Sequence, residues 1–298
     1  MSQALERNPV EPRATRHPSL AGTQVGNWLL LNEVSSGGDA VVYRARPWAS
    51  TGEACYAIKL LSSAYEHDIC RLELFCQEVR VGRSVSHPHL VPILAASIYE
   101  PPFHLVMPWL EGATLGDRIA AGELIALPRA LWIARQVAEA LVALHREGWL
   151  HADVKPANIM VATDGHATLM DLGFAQRVCE VESADQRLVL GTSAYMAPEM
   201  LSSTMGIDIR SDLYSLGVTL FEAITGRLPY HADDIADLAV QHRQGLRGDL
   251  RKHMPCVPTS VARLVRQLLA RDPMRRPQTP QEVVERLVSA EIETFSER

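Results

Sequence analysis

The chain has 298 residues, of which 47% are hydrophobic and 21% charged, and its net charge is −6. These values exclude wholesale disorder, collagen-like repeats and a disulfide scaffold, and they suit one large or two small domains with a sizeable core. The acidic balance excludes a general nucleic-acid binder, which needs a basic surplus to displace counterions.

In chain order, residues 1–26 are rich in Pro, Arg, Ser and Thr without periodicity and read as a flexible tail. From Trp28 the pattern changes: WLLLNEV, AVVYRAR and ACYAIKLL are short β-rich runs divided by Gly, Ser or Pro, as in an antiparallel meander. Residues 66–84 carry helical spacing through Ile69, Leu72, Phe75, Cys76 and Val79, and end at SHPHL. LVPILAAS and PFHLVM predict two further strands. After Met107 the chain turns helical. Pro128 opens a long amphipathic helix closed near Gly148. Ser211 is the expected cap of the next, which Gly226 and Pro229 stop. More helices are predicted near 233–243, 259–270 and 280–290. Strands first and helices afterwards define an α+β class.

The five cysteines form no CxxC pair, so neither a disulfide framework nor a zinc site is suggested. No secretory h-region is present, and no uncharged apolar run reaches the roughly 18 residues that span a bilayer. A soluble, cytoplasmic protein without membrane contacts is expected. Of 29 basic residues only three are lysine: Lys59, Lys155 and Lys252. A site that keeps lysine in such a chain is a candidate for needing a compact ammonium.

Chemistry concentrates in three places. The hairpin Val34–Tyr43 holds Gly37 and Gly38, and a glycine turn between strands can lay backbone N–H groups over phosphates, although an ordinary hairpin would look the same. Lys59 lies in an apolar strand and needs a partner, which Glu78 on the following helix can supply. A structural ion pair is the competing reading. The decisive stretch is His151-Ala-Asp153-Val-Lys155-Pro-Ala-Asn158, followed by Met170-Asp171-Leu172-Gly173. An acid, a cation and two oxygen ligands for a divalent metal are the kit of phosphoryl transfer.

With these motifs in order from Trp28 to Val288, the sequence resembles eukaryotic-like Ser/Thr protein kinases, especially the compact bacterial ones. VVYRA, YAIKL, HADVKPANIM, DLG, GTSAYMAPE, SDLYSLGVTLFEAITGRLPY and RDPMRRP carry the resemblance. It implies a bilobal fold: a small antiparallel β-rich lobe over 27–107, a hinge over 108–112, a larger helical lobe over 113–290 and a C-terminal tail over 291–298. It also implies that ATP and Mg²⁺ (or Mn²⁺) are used on protein substrates. Lys59 would contact the α/β-phosphates and pair with Glu78. Asp153 would accept the hydroxyl proton, Lys155 would contact the γ-phosphate, and Asn158 and Asp171 would hold the metal. Val34, Gly37, Gly38, Val42, Ala57 and Met160 would enclose the nucleotide, with Met107 as gatekeeper and the backbone of Pro108 to Leu110 at the adenine edge. Glu199 would pair with Arg276, and Asp212 would hold the catalytic-loop backbone. Lys155 and Thr192 fit Ser/Thr rather than tyrosine specificity.

Three departures stand out. Ser35 and Ala40 replace two family glycines in the hairpin, which predicts looser nucleotide binding. Ala152 stands where an Arg usually pairs with a phosphorylated activation segment. Ser183 is the only phosphorylatable residue between Gly173 and Gly191. Activity independent of activation-segment phosphorylation is therefore expected. Leu172 replaces Phe as the apolar plug. A scaffolding pseudokinase is the second reading, and a small-molecule kinase the third. The sequence assigns no oligomeric state.

Overall fold

Period-two alternation from Gln24 onward builds the smaller lobe, and 3.6-residue spacing after Met107 builds the larger one. The computed structural model describes residues 19–37, 39–178, 193–201, 207–230, 232, 234–244 and 249–296. The strands β1 (Gln24–Val25), β2 (Trp28–Gly37), β3 (Ala40–Pro47) and β4 (Tyr56–Leu61) precede the helix α1 (Ile69–Ser84). The strands β5 (Ala95–Ser97) and β6 (His104–Pro108) complete an antiparallel six-stranded sheet in the order β1-β2-β3-β4-β6-β5. Two clusters cover the two faces of the sheet. Leu30, Tyr43, Ala45, Ile58 and Val106 pack on one side. Phe75 and Val79 of α1 pack with Leu61, Ile93 and Leu105 on the other.

The larger lobe begins with β7 (Ala113–Thr114), α2 (Leu115–Ala120) and α3 (Leu127–Arg146), followed by β8 (Trp149–Leu150), β9 (Ile159–Val161), β10 (Ala167–Leu169) and β11 (Gln176–Arg177). The helices α4 (Ile209–Thr225), α5 (Ile235–Gln244), α6 (Leu250–His253), α7 (Thr259–Leu268) and α8 (Pro280–Ser296) finish it. Leu131, Val137, Leu141 and Leu144 of α3 meet Leu213, Leu216, Leu220 and Phe221 of α4 in the principal core. Pro at the start of α3 and Gly226 at the end of α4, with φ of 67°, act as the sequence predicts.

Four expectations are corrected. The stretch 1–26 is not a tail throughout: β1 pairs with β2, and Val25 is buried in the sheet core. Of the expected tail over 291–298, residues 291–296 belong to α8, which runs through Ser296, with Glu291 bonded to Arg135 at 2.9 Å and Thr294 buried; residues 297–298 lie outside the described residues. Asp208, not Ser211, caps α4; its carboxylate accepts from the Arg210 N–H at 2.9 Å. Ser211 lies inside the helix and donates to Glu199 Oε1 at 2.7 Å. Of the apolar run LVPILAAS, only Ala95–Ser97 joins the sheet. The Val91 N–H instead donates to Leu169 O at 3.0 Å, and Pro92 has no N–H to give a ladder. The helices α2 and α6 escaped the periodicity because one or two turns carry too little of it. A capping box between Thr114 and Asp117 starts α2.

Among the described residues of the larger lobe, three buried side-chain atoms have no hydrogen-bond partner: Arg118 Nε, Thr219 Oγ1 and His242 Nδ1. His242 of α5 is 3% exposed and sits within 3.0 Å of the Tyr214 hydroxyl, while its Nδ1 has no hydrogen-bond partner among the described residues. Burial pushes its pKa down from 6.5 to about 4. A histidine depressed in the folded state stabilises fully above its unfolded pKa. That contribution is lost as pH falls through the window from 6.5 towards 4. The whole shift corresponds to about 3 kcal/mol. Denaturant melts should therefore weaken across this window, and His242→Gln should show a shallower decline; parallel pH profiles for the two proteins would contradict the assignment.

Candidate active site

The register of the sheet collects one set of side chains on one face. Val42 pairs with Lys59, Ala57 with Met107, and Lys59 with Leu105, so Val42, Ala57, Lys59 and Met107 point the same way. Ala57 is buried, and Met107 packs against the Phe75–Ile93 cluster beneath α1. Val34 is half-exposed at a register shift of β2, and Gly37 ends that strand opposite Ala40. Gly38 lies outside the described residues. Ser35 and Ala40 pair regularly with Val42 and Gly37, and among the described residues only Ala152 and Asp171 are non-glycine residues with positive φ. Neither replaced glycine is therefore asked for a conformation only glycine favours.

Lys59 is the junction of the two lobes. Its ammonium lies 2.7 Å from Glu78 Oε2 and 3.1 Å from Asp171 Oδ1. Burial pulls the lysine pKa down, but the two carboxylates more than offset this and hold it above its ordinary value. The same ammonium holds Asp171 below the usual carboxylate range, against the upward push of burial. Glu78, 3% exposed, is pushed upward by burial, and Lys59 recovers part of the shift. Four residues after Glu78, Gly82 lets α1 lie close against Ile93: a Cβ there would stand 2.3 Å from Ile93 Cγ1.

The loop from His151 to Asn158 is held from below. Asp212 of α4, buried, accepts from the backbone N–H groups of His151 and Ala152, both at 2.8 Å. Burial pushes its carboxyl up. These two bonds hold Ala152 at a φ of 62°, a left-handed conformation costly for alanine. The Asp153 N–H donates to His151 Nδ1 at 3.2 Å, so the ring proton belongs on Nε2, which faces Met170 O at 3.0 Å. Asn158 donates its amide hydrogens to Asp153 O at 2.9 Å and Asp153 Oδ2 at 2.8 Å. Its carbonyl oxygen is thereby turned away from that loop. Lys155 Nζ lies 2.8 Å from Asp153 Oδ2. Leu172 is fully buried in the principal core directly after Asp171. Met160 lies partly buried on β9, and Pro108 and Leu110 are partly buried where β6 leaves the sheet. The Trp109 N–H donates to Cys55 O at 2.9 Å and fixes that exit.

Glu199 and Arg276 form a two-pronged ion pair at 2.6 and 2.7 Å, both side chains essentially inaccessible. Tyr195 donates to Glu222 Oε2 at 2.6 Å, which ties the stretch before Glu199 to α4. Ser183 and Thr192 lie outside the described residues. Among the described residues no cluster of three His, Cys, Asp or Glu side chains forms a metal site. The hard oxygen donors of Asn158 and Asp171 are nevertheless the type that suits a magnesium ion sharing its shell with phosphate and water.

Sequence reasoning missed several contributors. Asp39, at the hairpin tip, forms an ion pair with Arg71 in the first turn of α1, and Arg71 also lies over the Tyr65 ring. Gln77, beside Glu78, donates to Ala175 O at 3.0 Å. Asp39 and Arg71 are 32 positions apart, and nothing local in the sequence pairs them.

This arrangement is bilobal, with a lysine–carboxylate junction above the loop from His151 to Asn158. The profile of the protein kinase domain family matches residues 28–288, and the chain belongs to that family. It is 30% identical over 258 residues to the serine/threonine-protein kinase PrkC of Bacillus subtilis, covering 87% of this chain and 39% of PrkC. It is 31% identical over 258 residues to the serine/threonine-protein kinase PknH of Mycobacterium tuberculosis, covering 87% of this chain and 41% of PknH. The chain thus spans less than half the length of these curated relatives. Among the described residues no helix is long and apolar enough to cross a membrane.

The Asp39–Arg71 tie joins the β2–β3 hairpin to the helix that carries Glu78. Asp39→Ala should raise the KM for ATP several-fold with a smaller change in kcat. The charge-reversed pair Asp39→Arg/Arg71→Asp should recover part of the loss. Steady-state kinetics at varied ATP checks both outcomes.

Proposed function

We propose that the chain is a serine/threonine protein kinase that transfers the γ-phosphoryl group of Mg·ATP (or Mn·ATP) to protein hydroxyls in the cytoplasm. The observation that carries this reading is the shared Lys59 ammonium, bonded at once to Glu78 in the small lobe and Asp171 in the large one. Val42, Ala57 and Met107 on the sheet face, with Met160 below, suit an adenine ring, and the backbone of Pro108 to Leu110 suits its polar edge. Lys59 would hold the α/β-phosphates. Val34 and the Gly37–Gly38 turn would cover the phosphates. Asn158 and Asp171 would hold the metal, which supplies charge neutralisation at the phosphate oxygens.

Asp153 would orient the substrate hydroxyl and accept its proton as the new O–P bond forms and the bond to ADP breaks. The amide of Asn158 on Asp153 Oδ2 keeps the carboxylate aimed, and Lys155 would meet the transferring phosphoryl. Protein substrates are favoured over small molecules by the anchored stretch from Tyr195 to Glu199 and the helices after it. No nucleic acid or membrane partner is invoked.

Asp153→Asn should lower phosphorylation of a generic protein acceptor by about 10²–10⁴-fold while leaving Mg·ATP binding intact. Labelled-phosphate transfer and thermal shift measure the two quantities. Equal transfer by both proteins would sink the assignment of Asp153, and ATP binding without any wild-type transfer would favour the pseudokinase reading. Independence from activation-segment phosphorylation makes a separate prediction: Ser183→Ala should keep wild-type turnover in protein freed of phosphate by a phosphatase.

A further inference from the structure

The stretch that follows Asp171 returns to the catalytic loop through β11 and β8. Gln176 pairs with Leu150 and Arg177 with Trp149. A two-row ladder is weak on its own. Here it is reinforced by a stacked cation. The Arg177 guanidinium sits 4.1 Å from the centre of the Trp149 ring, and its Nη1 donates to Glu147 O at 3.0 Å. The Val178 N–H adds a bond to Gly148 O at 3.0 Å. Trp149 is 2% exposed and belongs to the principal core, so the ring is a fixed platform rather than a mobile partner. On the opposite side Gln77 holds Ala175 O. Residues 175–178 are therefore clamped between α1 and the backbone just ahead of Asp153.

Indole is the best aromatic partner for a cation, and a planar guanidinium can stack and donate to a carbonyl at the same time. Lysine can do one or the other well. The neighbouring Ala152 offers no charge at the head of the loop from His151 to Asn158, and Arg177 adds a charged side-chain tie to the backbone bonds between the two segments. The geometry points to Arg177 as a positioning residue: stacked on Trp149 and bonded to Glu147, it locks the segment that follows Asp171 against the loop that carries Asp153, using unmodified groups only. This rests on the kinase reading above and supplies a physical cause for activity without activation-segment phosphorylation.

The test uses the full chain with Arg177→Ala, Arg177→Gln and Arg177→Lys. Casein serves as phosphoacceptor after phosphatase treatment. Arg177→Ala and Arg177→Gln should lower kcat about tenfold, with KM for ATP and the Mg·ATP thermal shift close to wild type; Arg177→Lys should recover part of kcat. Amide hydrogen exchange across 171–178 should speed up in the same order, and it can be read whether or not the protein transfers phosphate. Wild-type kcat in Arg177→Ala would overturn the proposal, as would unchanged exchange across 171–178. If the wild type itself transfers nothing, the kinase reading fails, and exchange alone decides whether Arg177 holds the segment. If Arg177→Ala does not fold, Arg177→Lys against Arg177→Gln decides: equal kcat and equal exchange in those two would overturn the role given to the stacked charge.

Discussion

A lysine ammonium taken out of water must be matched by charge close at hand, and Lys59 is matched by two carboxylates from different parts of the chain. That requirement sets the position of nearly everything around it. Glu78 reaches Lys59 only if α1 lies close on the sheet, where Phe75 and Val79 of the same helix pack with Leu61 and Leu105. Asp171 reaches it only if Leu172 is seated in the core below. One ammonium thus ties a helix of the small lobe to the segment after β10 of the large one. Removing Lys59 would leave Glu78 and Asp171 without the cation they share, whereas removing either carboxylate leaves the ammonium one partner.

The large lobe fixes the loop from His151 to Asn158 in the same manner, from a buried helix outward. Nearly every residue of α4 is buried, and its Asp212 spends both carboxylate oxygens on backbone N–H groups of the loop. The left-handed Ala152 is the cost of that grip, and the His151 ring, bonded to Asp153 and Met170, carries the grip across to the strand before Asp171. Positioning is thereby concentrated in backbone groups and buried acids. The side chains that would meet substrate, Asp153 and Lys155, remain at the surface of this frame.

Much of this was legible in the residues, and the parts that were not share a cause. The lysines at 59 and 155, the loop from His151 to Asn158 and the Asp171–Gly173 triplet declare themselves because each needs a particular chemistry at a fixed local spacing. The strands and the long helices declare themselves by period. Asp39 with Arg71, Gln77 with Ala175 and Arg177 with Trp149 are ties between segments distant in sequence, made by residue types that are common on any surface. Only the fold brings them together. Chain ends misled for a related reason: Val25 and Thr294 are buried by long-range packing, which polar composition nearby conceals. Asp208 displaced Ser211 as a cap because an acid one turn earlier satisfies the helix start equally well.

The split fate of the run Leu90–Ser97 has a mechanical consequence. Its first residues are bonded to β10, through Val91 to Leu169 O and Leu169 to His89 O, while Ala95–Ser97 form the edge strand of the small-lobe sheet. Besides the side-chain ties of Lys59 to Asp171 and of Gln77 to Ala175 O, the backbone fastens the small lobe to the large one here and where β6 runs out through Pro108. Once those side-chain ties release, two backbone attachments leave a single easy freedom, rotation about the line that joins them. Opening of the cleft then resembles the swing of a door on two pins, and twisting of one lobe over the other is resisted by backbone hydrogen bonds rather than by side chains.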